Sequence, residues 1–145
     1  MFTSSSARRM FAAAIGLAIC LVGMPPGHAG GEESSPITAQ VKASLEDPTK
    51  PFTLVVALQA KEGAGEALEA AVAKAARPTR KEKGCLSYEL SRDAKSPRQY
   101  LLYERWQDLS ALDAHLKSDY ITSLLQALGQ LTDSSEIRVL VPVAE

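Results

Sequence analysis

Between residues 51 and 143 the spacing of apolar positions alternates between strand-like and helix-like periods. PFTLVVALQA, residues 51–60, is rich in β-branched and large apolar residues, opens at Pro51 and stops before Gly63 and Gly65, which predicts a strand. In AGEALEAAVAKAARPTRKEKG, residues 64–84, Leu68, Val72 and Ala75 recur at helical spacing while Glu66, Glu69 and Lys74 lie elsewhere, which predicts a one-sided helix. Pro78 is awkward inside a helix and predicts a kink or restart; Gly84 predicts the stop. CLSYELSRD alternates, with Leu86, Tyr88 and Leu90 on one side and Cys85, Ser87 and Glu89 on the other. RQYLLYERW alternates in the same way, Tyr100, Leu102, Glu104 and Trp106 against Leu101, Tyr103 and Arg105. The short, turn-like DAKSP between them predicts a hairpin. DLSALDAHLKS predicts a helix capped by Asp108, DYITSLLQALGQL a second helical piece, and EIRVLVPV a last strand whose Pro142 points to a sheet edge. The order strand, helix, strand, strand, helix, strand predicts an α+β sandwich of the ferredoxin-like βαββαβ kind. One sheet face is then left bare, and a homodimer packed sheet to sheet is the economical way to cover it.

The first 50 residues read differently. MFTSSSARRM places Arg8 and Arg9 before FAAAIGLAICLVGM, fourteen residues without a charge, and PPGHAGG then supplies small residues. That is the layout of a secretory signal over residues 1–29, with cleavage expected after Ala29 and an exported, periplasmic or secreted product. The apolar run falls short of the roughly 20 residues a spanning helix needs, so no stable membrane anchor is expected after cleavage. Cys20 imitates a lipid-attachment box only in part, because Ile19 stands where such boxes want a small residue. Residues 30–50 are polar, rich in Pro and Ser and nearly free of large apolar residues, which predicts a flexible linker; the folded domain is expected over 51–145. A domain of that size buries its core poorly alone, which again favours pairing with a second copy.

Cleavage also changes the inventory of reactive groups. The mature chain keeps one cysteine, Cys85, and one histidine, His115, so no internal disulfide and no multi-ligand zinc cluster is expected. Loss of Arg8 and Arg9 takes Lys plus Arg from 16 to 14 against 17 Asp plus Glu, a net charge of about −3. No basic stripe follows a phosphate backbone, and nucleic acid is not an expected partner.

Two side chains remain as candidate acid–base groups. His115 sits one turn past Leu112, at the edge of the apolar stripe Leu109, Leu112 and Leu116; it is either an interfacial or solvated helix residue or a base, since imidazole titrates near neutrality. Nine residues after Trp106 is about two helical turns into a helix that must fold back over the strand, which carries the imidazole back over the end of that strand. Glu104 shares a face with Leu102 and Trp106; it is either an ion-pair partner of Arg80 or Arg105 or a buried carboxylic acid of raised pKa. Trp106 and Tyr88 can line a flat pocket for an aromatic ring or serve as simple core. Cys85 reads as a small apolar group.

The segments EKGCLSYEL, YERW, HLKSDY and IRVLVPV, in that order and spacing, resemble the antibiotic biosynthesis monooxygenase family, its quinol monooxygenase-like members in particular, over about residues 52–143. The resemblance implies a dimeric α+β barrel that uses molecular oxygen without metal or flavin cofactor on a small aromatic or quinol substrate. In that reading the catalytic base is His115, which the family match favours, or Glu104, the candidate from its strand position, and Trp106, Tyr88 and Tyr120 hold the substrate ring. Other branches of the family degrade haem or isomerise phosphorylated autoinducer sugars. The haem-degrading Asn, Trp and His fall on Val56, His115 and Leu125, none of which matches, whereas the isomerase branch shares the histidine at His115. Many quinol-type members carry a histidine where this chain has Tyr120, so a two-histidine mechanism does not carry over. Three readings therefore stay open: a cofactor-free monooxygenase, a non-catalytic extracytoplasmic dimer that binds a small aromatic ligand, and a sugar isomerase.

Overall fold

A computed structural model describes residues 34–143. The leader expected over 1–29 lies outside the described residues. Eight elements follow in order: α1 Pro36–Ser44, β1 Phe52–Ala60, α2 Gly65–Thr79, β2 Cys85–Arg92, β3 Gln99–Trp106, α3 Leu109–Leu116, α4 Asp119–Leu131 and β4 Thr132–Leu140. The four strands form one antiparallel sheet in the order β2-β3-β1-β4. This is the expected ferredoxin-like α+β architecture, with β2 and β4 at the edges.

Cross-strand register explains the core. Phe52 stands opposite Trp106, Leu54 opposite Glu104, Val56 opposite Leu102 and Leu58 opposite Tyr100, so these side chains share the face under the helices. On β3 burial alternates strictly, Tyr100, Leu102, Glu104 and Trp106 being buried, as the sequence pattern requires. Leu68, Val72 and Ala75 of α2 and Leu109, Leu112, Ile121 and Leu124 of α3 and α4 close the core from above. Asp108 caps α3, its Oδ1 accepting the amide of Ala111 at 2.8 Å. Pro78 sits in the last turn of α2 and is followed by the helix end rather than a kink and restart.

Three expectations need correction. The stretch 30–50 is not a flexible linker throughout: Pro36–Ser44 is helical and packs on α3. Its Ser35 cap and Pro36 at the first turn start the helix, Val41 is completely buried, and Thr38 Oγ1 donates to Asp113 Oδ1 at 2.9 Å. After it, Pro48 O accepts the amide of Leu109 at 2.9 Å. Leu86 does not join Tyr88 in the core. Cys85 pairs with Trp106 and Ser87 with Arg105, so Leu86 is the extra residue of a β-bulge and stands 52% exposed, while Cys85 turns inward. The last strand starts at Thr132 rather than Glu136 and ends before Pro142; the polar TDSS pairs with β1 through its backbone, which carries no hydrophobic signature.

The opposite sheet face carries Val55 and Ala57 of β1, directly across from Tyr103 and Leu101 of β3, and Leu140 of β4, across from Thr53. Leu101, Tyr103 and Leu140 are 49%, 41% and 49% exposed. Among the described residues, no helix is long and apolar enough to cross a membrane.

Candidate active site

The site forms where the start of β2, the end of β3 and the helices α3 and α4 converge. Trp106 is fully buried as the last residue of β3, and the chain turns at once into α3. That return lays His115 beside it, ring centroids 4.6 Å apart, and 5.7 Å from the ring of Tyr88 on β2. Tyr120, in the first turn of α4, lies 6.4 Å away edge-on. The imidazole is 3% exposed, so His115 is a buried member of the cluster, not the edge-of-stripe residue its spacing suggests.

Glu82 organises the cluster, and the sequence pattern did not single it out as a site residue. One of its carboxylate oxygens meets His115 Nδ1 at 2.8 Å and the other accepts the Tyr120 hydroxyl. It lies in the turn between α2 and β2, which carries no periodicity; the only signal was its place at the head of the EKGC segment. Gly84 fixes that turn. Its φ of +91° favours glycine, its carbonyl accepts the amide of Gln107 at 2.8 Å, and a Cβ there would meet the Ala111 side chain at 2.5 Å.

The electrostatics divide the groups. Burial holds the His115 pKa below the ordinary imidazole range against the pull of the Glu82 carboxylate, so the ring is neutral at pH 7. A neutral imidazole facing a carboxylate donates from Nδ1 and keeps its lone pair on Nε2. Burial pushes Glu104 up to about 7; the indole N–H of Trp106, donated to its Oε2 at 3.0 Å, works the other way, and the negative charge of Glu82 adds to the rise. Neither Arg80 nor Arg105 pairs with Glu104; Arg80 Nε instead donates to the Tyr88 carbonyl at 2.9 Å. Burial raises both tyrosines, Tyr88 strongly and Tyr120 with help from Glu82. Cys85 is raised by burial and by the neighbouring carboxylates Glu82 and Glu104, which keeps it a thiol. No group of three or more His, Cys, Asp or Glu side chains suited to a metal ion occurs among the described residues.

All five residues proposed from the sequence thus lie in one cluster with Glu82, around a neutral imidazole and a half-ionised carboxyl. Residues 51–126 match the profile of the antibiotic biosynthesis monooxygenase family. The chain belongs to this family. It is 32% identical over 98 residues to Rv0793 of Mycobacterium tuberculosis, provisionally named a monooxygenase, covering 67% of this chain and 96% of that one. The solved structure of Rv0793 superposes with a TM-score of 0.62, over 66% of this chain and 98% of that one. PA3566 of Pseudomonas aeruginosa, 28% identical, superposes at 0.63 over 68% and 99% of the two chains. A Deinococcus radiodurans protein, provisionally named an antibiotic biosynthesis monooxygenase and 27% identical, gives 0.60 over 65% and 94%. The match to the monooxygenase family begins at residue 51, after α1, which packs on α3.

Proposed function

We propose that this monooxygenase-family chain oxidises a phenolic or quinol-type small molecule with molecular oxygen and without a metal or flavin. The observation that carries the reading is the Glu82–His115 pair at 2.8 Å, set against the buried rings of Trp106 and Tyr88. Triplet oxygen reacts slowly with closed-shell organics, so a cofactor-free enzyme must turn its substrate into an electron-rich anion. His115 Nε2 is the base that takes the phenolic proton. Glu82 holds the ring in the required tautomer and stabilises the imidazolium that forms, and Tyr120 holds Glu82. Trp106 and Tyr88 flank the ring plane. Glu104, poised at neutrality, returns or accepts the second proton. A base so placed contributes about 10²–10⁴ in rate. The test is oxygen uptake by metal-stripped protein over a panel of quinols. No uptake above a His115→Gln control would leave a ligand-binding dimer as the better reading.

The active unit is a homodimer closed through the face of Val55, Ala57, Leu101, Tyr103 and Leu140. At ~25 cal/mol per Å², several hundred Å² of apolar surface represents roughly 10 kcal/mol. The basic, apolar and small-residue segments before residue 30 support export, which suits a quinol substrate because quinols reside in membranes. A mature mass starting at Gly30 checks this, and a full-length or lipid-modified species in the exported fraction would refute it.

A further inference from the structure

Two clefts flank β2, and neither is lined by His115. The larger, about 640 Å³, runs between α2 and β2 and lies within the size range of small-molecule sites. Its floor is apolar, made by Val72, Ala76, Leu90 and the Tyr100 ring, and its rim carries Arg77, Arg80 and Arg92 against a single acid, Glu69. Glu69 is already engaged: it accepts Arg92 Nη1 at 3.2 Å and the Tyr100 hydroxyl at 2.8 Å. Among the described residues neither Arg77 nor Arg80 has a carboxylate within salt-bridge distance. Arg80 is not spent on the C-terminal end of α2 alone: its Nε reaches across to the Tyr88 carbonyl, and the residue lines both this cleft and the smaller one along residues 85–89. An apolar floor under two uncompensated guanidinium groups selects a ligand with an apolar body and one anionic group, since planar guanidinium pairs well with carboxylate.

We propose that the cleft between α2 and β2 binds a small amphipathic carboxylate, its apolar body on Val72, Ala76 and Leu90 and its carboxylate on Arg77 and Arg80. The assignment does not depend on the monooxygenase reading. It is tested on the full chain by titration with 1-naphthoate against its neutral counterpart 1-naphthamide, followed by amide chemical shifts. Naphthoate should saturate one site per chain and shift the amides of Ala73, Ala76 and Leu90. Arg77→Ala, at an exposed position that folding tolerates, should weaken it tenfold or more. Glu69→Gln, which keeps the acceptor for Tyr100 but removes the charge, should tighten it about threefold. Equal affinity for naphthamide, shifts centred on Val55 and Leu101 of the opposite sheet face, indifference to Arg77→Ala, or no saturation by about 10 mM naphthoate would each overturn the proposal.

Discussion

At the scale of single residues, the cluster turns on two buried titratable groups, His115 and Glu104, and on the half-buried carboxylate of Glu82 beside the imidazole. Glu82→Gln keeps an acceptor for His115 Nδ1 but removes the negative charge that pulls the imidazole pKa up against burial. The acid limb of the kcat/KM profile for quinol oxidation should therefore move to lower pH, with a plateau 10–100-fold below the parent. A variant with an unmoved profile would remove Glu82 from the mechanism. His115 itself is packed against Trp106, so His115→Ala opens a cavity and destabilises the fold, contrary to what an exposed helix position would allow. His115→Gln is the informative substitution, expected to fold and to lose a hundredfold or more in oxidation. Glu104 contributes with the opposite sign in pH. Its folded pKa, about 7, stands above the ordinary 4.5, so the stability it confers is complete below 4.5 and disappears as pH rises through 7. Glu104→Gln, which can still accept from the Trp106 indole, should be the more stable protein at pH 8 by on the order of 3 kcal/mol and lose that advantage towards pH 4.5. His115, with its pKa lowered, costs stability as pH falls below 6.5. Denaturant midpoints across pH 4–8 separate the two groups.

At the scale of elements, α1 is the strap that the domain adds ahead of the family match. Val41 is fully buried, and the Thr38–Asp113 hydrogen bond with the Pro48 carbonyl ties both ends of the segment to α3, the helix that carries His115. Val41→Ala should cost about 2 kcal/mol, a fall in Tm of roughly 10 °C for a domain of this size. An unchanged Tm would show that α1 does not hold α3. The bulge at Leu86 is the other element-level device. It re-aims β2 so that Cys85 faces inward opposite Trp106 while Tyr88 keeps its place beside His115.

At the scale of the whole molecule, the bare sheet face lies opposite the face that the helices and His115 cover. Leu101, Tyr103 and Leu140 are too exposed for a monomeric core, and Val55 and Ala57 join them into one patch. If the proposed dimer forms through this patch, Tyr103→Glu, within the patch and on the far side of the sheet from His115, should leave a monomer in sedimentation at micromolar concentration. Parent protein that already sediments as a monomer would exclude the sheet-to-sheet dimer.

Local pattern alone determined the strands and helices of residues 51–131, the Asp108 cap and the inward set Tyr100, Leu102, Glu104 and Trp106, because period and burial are set by the same alternation. His115 over Trp106 was also legible, since a helix that leaves a strand end must return across it to bury its stripe. What the sequence could not decide depends on partners distant along the chain. Glu82 reaches His115 across 33 residues and Tyr120 across 38, from a turn without periodicity, so only the packed fold makes it a site residue. Pro36–Ser44 looks like polar tether until Val41 and Thr38 meet α3, 75 residues away at the Thr38–Asp113 bond. Leu86 leaves the core because one inserted residue shifts register, and the TDSS start of β4 exists through backbone pairing that no side chain announces. Periodicity records which face of an element is apolar; which polar groups meet there, and in what protonation state, is set by tertiary contact and the burial it brings.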